Sequence, residues 1–221
     1  MENKEVMREL QRWLGDNPQF EQNMAFLEEF QYLMMCYRSS IKEVQTKLEI
    51  LADELSLQKK RSPIHTIESR IKKPKSIGEK LIKRGKTISI DNIRNELNDV
   101  AGIRVTCSYV DDVYDIVNML VSQDDVELIR AKDYIKNPKE SGYRSLHIIV
   151  AIPIFLSEKS EVFRVEIQIR TIAMDFWASL EHSLRYKGGV PPAAFKQLED
   201  AATSISKMED QMLVIRKYME D

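Results

Sequence analysis

Lys139-Glu-Ser-Gly-Tyr-Arg-Ser-Leu-His147 and Val165-Glu-Ile-Gln-Ile-Arg-Thr171 carry the clearest structural pattern in the chain. The second reads as a strand. Side chains alternate with a period of two, so Val165, Ile167 and Ile169 point one way and Glu166, Gln168 and Arg170 the other. One face packs a core, and the other carries a carboxylate, an amide and a guanidinium in a row. The first stretch is a Gly-Tyr turn feeding a strand from Arg144 to Ile152. Leu146, Ile148, Val150 and Ile152 share one face of it, with Ser145 and His147 opposite. Alternation alone describes any antiparallel sheet with one wet face.

Working outward, a third strand is expected over Ile103–Val110, with Arg104, Thr106 and Ser108 on its polar face, and a fourth over Val126–Arg130. Helices are expected between and around them. Val6, Leu10 and Trp13 suggest a short helix over 3–14, stopped by Gly15-Asp-Asn-Pro18. An apolar stripe from Phe20 through Met34, Tyr37 and Leu48 to Leu55 recurs at steps of three and four. It is longer than a small sheet can cover, so part of it is expected to pack on another helix or subunit. Ser62-Pro63 reads as a helix start, with Ile64, Ile67 and Ile71 following and Pro74 ending it. Further helices are expected over Ser76–Arg84, over Ile90–Leu97 and from Asp111-Asp112 to Val121. Another spans Ile172–Tyr186, with a stripe of Ile172, Phe176, Leu180 and Leu184, and Gly188-Gly189 breaks it. A last one carries Phe195 to Met219. The class is α+β.

With 31% charged residues but a net charge of only −2, what matters is where the charges lie. Lys59, Lys60, Arg61, Arg70, Lys72, Lys73, Lys75, Lys80, Lys83, Arg84 and Lys86 face only Glu68 and Glu79 within one segment. Such a block suits an anionic ligand, or simply a solvated helix face. Cys36 and Cys107 stand alone, without a CxxC or a Cys/His cluster, and read as small apolar residues in a reducing compartment. The N-terminus has no apolar signal region and no run approaches a membrane span, so a soluble cytoplasmic protein is expected.

Asp99 precedes one strand and Glu166 lies within another. Two converging carboxylates suit a divalent metal whose shell substrate phosphates complete, and a carboxylate near a hydroxyl can act as general base. The plainer alternative is that Asp99 caps the turn at Gly102 and Glu166 pairs with a lysine. The basic block offers phosphate partners, but no GxxxxGK[ST] or GxGxxG is present, so a nucleotide would not be held in a P-loop or Rossmann manner. Tyr143 offers a face for a base, or packs beside its turn glycine. His65, His147 and His182 lack partners at ligand spacing and none precedes an Asp, which weighs against a zinc site and a His-Asp phosphohydrolase.

Taken together, Gly142-Tyr-Arg-Ser-Leu-His147, the run from Val165 through Met174-Asp-Phe-Trp177 to His182, Asp99-Val-Ala-Gly-Ile-Arg104 and Arg70-Ile-Lys72 resemble the (p)ppGpp synthetase domain of the RelA/SpoT homologue family. The match runs from about residue 60 to about 217. With no hydrolase or regulatory domain, the chain looks like a small alarmone synthetase, closer in wording to the RelP than to the RelQ type. The resemblance implies a mixed, five-stranded sheet flanked by helices, of which four strands are legible above. It implies one synthetase domain over 19–221 with helical arms, and leaves 1–18 without a role. It implies transfer of the pyrophosphate of ATP to the ribose 3′-oxygen of GDP or GTP, with release of AMP and no hydrolase activity. By resemblance Arg70 and Arg104 sandwich adenine, and Lys72, Ser76, Lys80, Lys83 and Arg84 are candidates for the ATP phosphates. Asp99 binds Mg²⁺, and Glu166 lies near the 3′-hydroxyl as base and second metal contact. Tyr143 stacks on guanine, with Lys139, His147 and Gln168 on the same acceptor. The family's small members form homotetramers, which helices 20–55 and 195–219 would suit, and no membrane or DNA partner is implied. Two other readings stay open: a nucleotide- or RNA-binding regulator without catalysis, and a nucleotidyltransferase that releases pyrophosphate.

Overall fold

The computed structural model describes residues 20–187 and 190–220. The expected helix over 3–14 and the break at Gly188-Gly189 lie outside them. In chain order the elements are α1 (Phe20–Lys59), β1 (Ile64–Ile71), α2 (Pro74–Lys83), α3 (Ile90–Glu96), β2 (Ala101–Cys107), α4 (Val110–Val121), β3 (Glu127–Asp133), β4 (Leu146–Phe155), β5 (Ser160–Thr171), α5 (Ile172–Lys187) and α6 (Pro192–Glu220). One five-stranded sheet has the order β1-β2-β5-β4-β3. β2 and β5 run parallel and every other neighbouring pair is antiparallel, so the sheet is mixed, as expected.

The core fills one face of that sheet. Helix α1 packs across β1, β2, β4 and β5 and against α3 and α4. Its stripe from Leu27 to Leu55 is buried within the single chain, with Leu48 and Val44 fully so, and Tyr37 meets Phe163 edge-on at 5.1 Å. This corrects the expectation that the stripe exceeds what one sheet can cover. The stripe is covered by the sheet together with α3 and α4. Pro153 sits inside β4 without disrupting it. β3 pairs with β4 only as far as Ala151, so the missing N–H of Pro153 falls where β4 has no neighbour on that side.

Residues 64–71 are the main correction: they form the fifth strand and not a helix. The cause is a bulge between Ile64 and Thr66 in the pairing with β2. One inserted residue brings Ile64 and Ile67 onto the same face, and Ile71 follows four residues later, which imitates helical spacing. The β-branched Ile64, Thr66, Ile67 and Ile71 agree with the strand. Smaller shifts follow the same logic. Tyr109 is the N-cap of α4 rather than part of β2, so Asp111 and Asp112 lie within the helix's first turn. There Asp112 is fully buried against Lys59 and Arg61. In α5 the inward face is Met174, Trp177 and Ala178, while Ile172, Phe176 and Leu180 of the expected stripe are exposed. The helix follows β5 without a loop, and the strand's exit direction selects its face. Cys36 and Cys107 are free and buried, as expected. Among the described residues no helix is long and apolar enough to cross a membrane.

Leu48, with 0% of its surface exposed in the middle of α1, tests this packing. Leu48→Ala is expected to lower unfolding free energy by about 2–5 kcal/mol in urea titrations with an unchanged slope. A loss under about 1 kcal/mol would mean that α1 is not seated on the sheet as described.

Candidate active site

The sheet's second face is polar, and strand register arranges it in rows. Across the five strands, Arg70 lies opposite Gly102, Gly102 opposite Glu166, Glu166 opposite Ile149, and Ile149 opposite Arg130. One step along, Glu68, Arg104, Gln168, His147 and Lys132 form the next row in the same way. Every second residue of a strand shares a face, so these ten positions all belong to the open side. Arg70 lies over Gly102, where even a methyl would meet its side chain at an ordinary contact of 3.5 Å.

Two pockets open on this face and share Glu166. The smaller, about 90 Å³, is walled by Arg70, Gly102, Arg104, Glu166 and Gln168. Arg104 leans on Glu68 at 3.6 Å, and its Nε is buried without a partner. The larger, about 270 Å³, is lined by Lys80, Arg84, Asp99, Arg130, Lys132, Tyr134, His147 and Glu166, with Asn98 and Ile149. Gln168 Nε2 donates to Glu166 Oε2 at 3.3 Å, steadying the carboxylate between the two pockets.

Asp99 follows α3, on the approach to β2. Its Oδ2 accepts from Lys72 at 2.8 Å and from Lys80 at 2.6 Å, so β1's exit and α2 both converge on it. Burial alone raises the carboxyl, but the hydrogen bonds from Lys72 and then Lys80 outweigh it and hold Asp99 below the usual carboxylate range. Asp99 Oδ1 is buried with no partner. That bare oxygen is the observation that bears on a metal. Among the described residues no group of three or more His, Cys, Asp or Glu could hold one by itself. Mg²⁺ commonly takes only one or two carboxylates and completes its shell with phosphate and water, so Asp99 and Glu166 fit that mode.

At the far side, Tyr143 belongs to an aromatic cluster. Its hydroxyl lies 2.8 Å from His147 Nε2, and its ring meets Tyr134 at 6.2 Å, His147 at 5.7 Å and Trp177 at 6.4 Å. Lys139 Nζ stands over the rings of both Tyr134 and Tyr143 at 4.7 Å. The β3 residues Arg130 and Lys132, together with Tyr134, were missed in the sequence. The strand expected from the sequence stops at Arg130, whereas β3 continues to Asp133 with nearly every side chain exposed, so no apolar alternation marks Lys132. Lys83, Ser76, Tyr143 and Lys139 line neither pocket; Lys83 is exposed, and Tyr143 adjoins the larger pocket through its contacts with His147 and Tyr134. Lys72 reaches the site only through Asp99.

Comparison with known proteins follows the same residues. The family described as a region found in RelA / SpoT proteins matches residues 69–190. The GTP pyrophosphokinase YwaC of Bacillus subtilis is 38% identical over 88% of this chain and 93% of its own length. A GTP pyrophosphokinase family protein from Streptococcus pneumoniae superposes with a TM-score of 0.77 at 36% identity, covering 87% of this chain and 95% of that one. Small alarmone synthetase 1 from Bacillus subtilis, bound to its product pppGpp, gives 0.77 at 34% identity over 88% of this chain and 100% of its own.

The cluster around Tyr143 has a pH signature. Burial, joined by the positive charges of Lys139, Arg170 and Lys132, pushes His147 down to about 4. An unfolded histidine titrates near ~6.5. Between these values the unfolded chain binds the proton and the folded one does not. The stability contributed by neutral His147 is therefore whole above pH ~6.5 and is lost as the pH falls towards ~4. NMR titration of the ring is expected to give a midpoint near ~4, with folding stability declining through that window. A ring titrating near ~6.5 would contradict its burial.

Proposed function

The chain belongs to the RelA/SpoT family, and from that premise we propose that it is a GTP pyrophosphokinase that makes (p)ppGpp, moving the pyrophosphate of ATP onto the ribose 3′-oxygen of GDP or GTP. The observation that carries this reading is the shared position of Glu166. One carboxylate borders an arginine-walled pocket on one side and a cationic, aromatic-ended pocket on the other. A reaction between two nucleotides needs such a junction.

In this reading adenine lies between Arg70 and Arg104, whose guanidinium planes suit stacking. Lys80 and Arg84 receive the ATP phosphates, with Lys72 reaching them by letting go of Asp99. Arg130, Lys132 and His147 face the acceptor's phosphates, and Gln168 its sugar side. Tyr143 stacks on guanine. Because Lys139 covers one face of its ring, the base takes the other or displaces the ammonium. Glu166 accepts the proton of the 3′-hydroxyl as that oxygen attacks the β-phosphorus. The bond from the β-phosphorus to the oxygen bridging it to the α-phosphorus breaks, and AMP leaves with that oxygen. Asp99 Oδ1 and Glu166 would hold Mg²⁺, which supplies charge neutralisation and in-line alignment of the triphosphate when bound. Lys80 and Arg84 add to that neutralisation.

The remaining features follow the family. Residues 19–221 act as one synthetase domain with helical arms, working in the cytoplasm without a hydrolase activity or a DNA partner. Assembly, as a homotetramer, relies on the face of α5 and α6, where Phe176, Met208, Met212 and Ile215 are exposed, and much less on α1, whose stripe is already buried.

ATP labelled on its γ-phosphate, incubated with Mg²⁺ and GDP or GTP, is expected to pass label to the guanine nucleotide with equimolar AMP. Chelation should stop the transfer. Glu166→Gln is expected to lower kcat about 10²–10⁴-fold with ATP still bound. Pyrophosphate as the released product, or near-normal turnover in that variant, would overturn the reading.

A further inference from the structure

A buried carboxylate far along the chain ties the last helix to the turn that carries Tyr143. Glu209, on α6, is 7% exposed. Its Oε1 accepts from the Thr171 hydroxyl and its Oε2 from the Arg144 guanidinium. A charge taken out of water must be paired on both oxygens to be tolerated, and here it is. Neither partner is incidental. Arg144 is the residue after Tyr143. Thr171 ends β5, the strand of Glu166 and Gln168, and its hydroxyl also accepts from the Met174 N–H at 3.1 Å, capping α5.

A second contact reaches the same turn from the same helix. Gly142 has φ 88°, and a methyl built on it would stand 2.6 Å from the Ala202 methyl carbon. The turn lies directly on α6, and only glycine permits both the conformation and the approach. Ala202 and Glu209 are seven residues apart, so they share one face of α6 about two turns apart. Between them they hold the residues on either side of Tyr143. Trp177, whose ring adjoins Tyr143, is bound in turn by its Nε1–H to the Leu198 carbonyl at 2.7 Å.

We propose that α6 is the positioning element for the acceptor nucleotide: Glu209, through Arg144 and Thr171, and Ala202, against Gly142, set where Tyr143 presents its ring to guanine. This rests on the reading above that Tyr143 stacks on the acceptor base. Glu209 touches no substrate and is a positioning residue. Its influence falls chiefly on the guanine nucleotide, because its hydrogen bonds go to Arg144 and Thr171, whereas the arginines of the adenine pocket stand on β1 and β2.

The test compares wild type, Glu209→Gln, Glu209→Ala and, as a control for lost stability alone, Leu48→Ala. KM for ATP, KM for GDP, kcat at saturating GDP, equilibrium binding of GDP and melting temperature are measured for each. Glu209→Ala is expected to raise the GDP KM and Kd about tenfold or more, with the ATP KM and the kcat at saturating GDP within about twofold. Glu209→Gln, which keeps one acceptor oxygen, should fall between. Leu48→Ala should lose melting temperature without that split. A folded Glu209→Ala with an unchanged GDP KM and Kd, or parallel changes for both nucleotides, would overturn the inference. Absence of transfer by the wild type would instead strike the proposed function, and the GDP Kd values would still decide the role of Glu209. A wild type that binds no GDP would remove both.

Discussion

In the parallel pairing of β2 with β5, Gly102 stands beside Glu166 and Arg104 beside Gln168. That register decides which side chains of β5 reach the open face and which reach the core. A one-residue slip of β5 would turn Val165, Ile167 and Ile169 to the open side and bury Glu166 and Gln168 against α1. The cost of burying unpaired polar groups makes the observed register the one the sequence can adopt. Once it is set, β4 and β1 join on either side and the polar rows assemble without further instruction. The smaller pocket is therefore lined by strand residues alone, the larger adds Lys80 and Arg84 from α2 and its end and Asn98, Asp99 and Tyr134 from the connections, and Glu166 is fixed between the two by strand geometry.

The charges on this face are arranged in advance of any ligand. Asp99 is kept ionised by two lysines on one oxygen while the other oxygen is left bare. Lys72 and Lys80 are the same cations that a triphosphate would call on. Binding then exchanges one set of ionic partners for another, so the cost of gathering like charges is met partly during folding. The aromatic end works by the opposite means. His147 is kept neutral by burial among cations, and the hydrogen bond between its Nε2 and the Tyr143 hydroxyl defines that ring's orientation.

The central part of this design was legible in the sequence because it obeys a period of two. The rows on β4 and β5, the polar face of β2, and Asp99, Glu166, Tyr143 and His147 were all readable from alternation and from motif resemblance. Strand β1 was not, because its bulge shifts the phase and mimics helical spacing. Arg130 and Lys132 were missed because β3 is an edge strand with both faces exposed, where no apolar alternation marks its length. The orientation of α5 depended on how the chain leaves β5, which periodicity does not encode. The contacts of Glu209 span 65 residues to Arg144 and 38 to Thr171, and no local pattern announces a pairing at that distance.

β1 and β3 are the two rims of the sheet, both largely exposed, and among the described residues neither pairs with a further strand. Such rims invite another strand to join. Here they carry Glu68 and Arg70 on one side and Arg130 and Lys132 on the other, along with a bulge in each ladder. The same ionic side chains that border the pockets thus act as gatekeepers against intermolecular strand addition. On the proposed reading the same charges serve two ends, so replacing them with apolar residues would both weaken nucleotide recognition and open the rims to strand addition, which narrows the routes by which this sheet could be turned to another ligand.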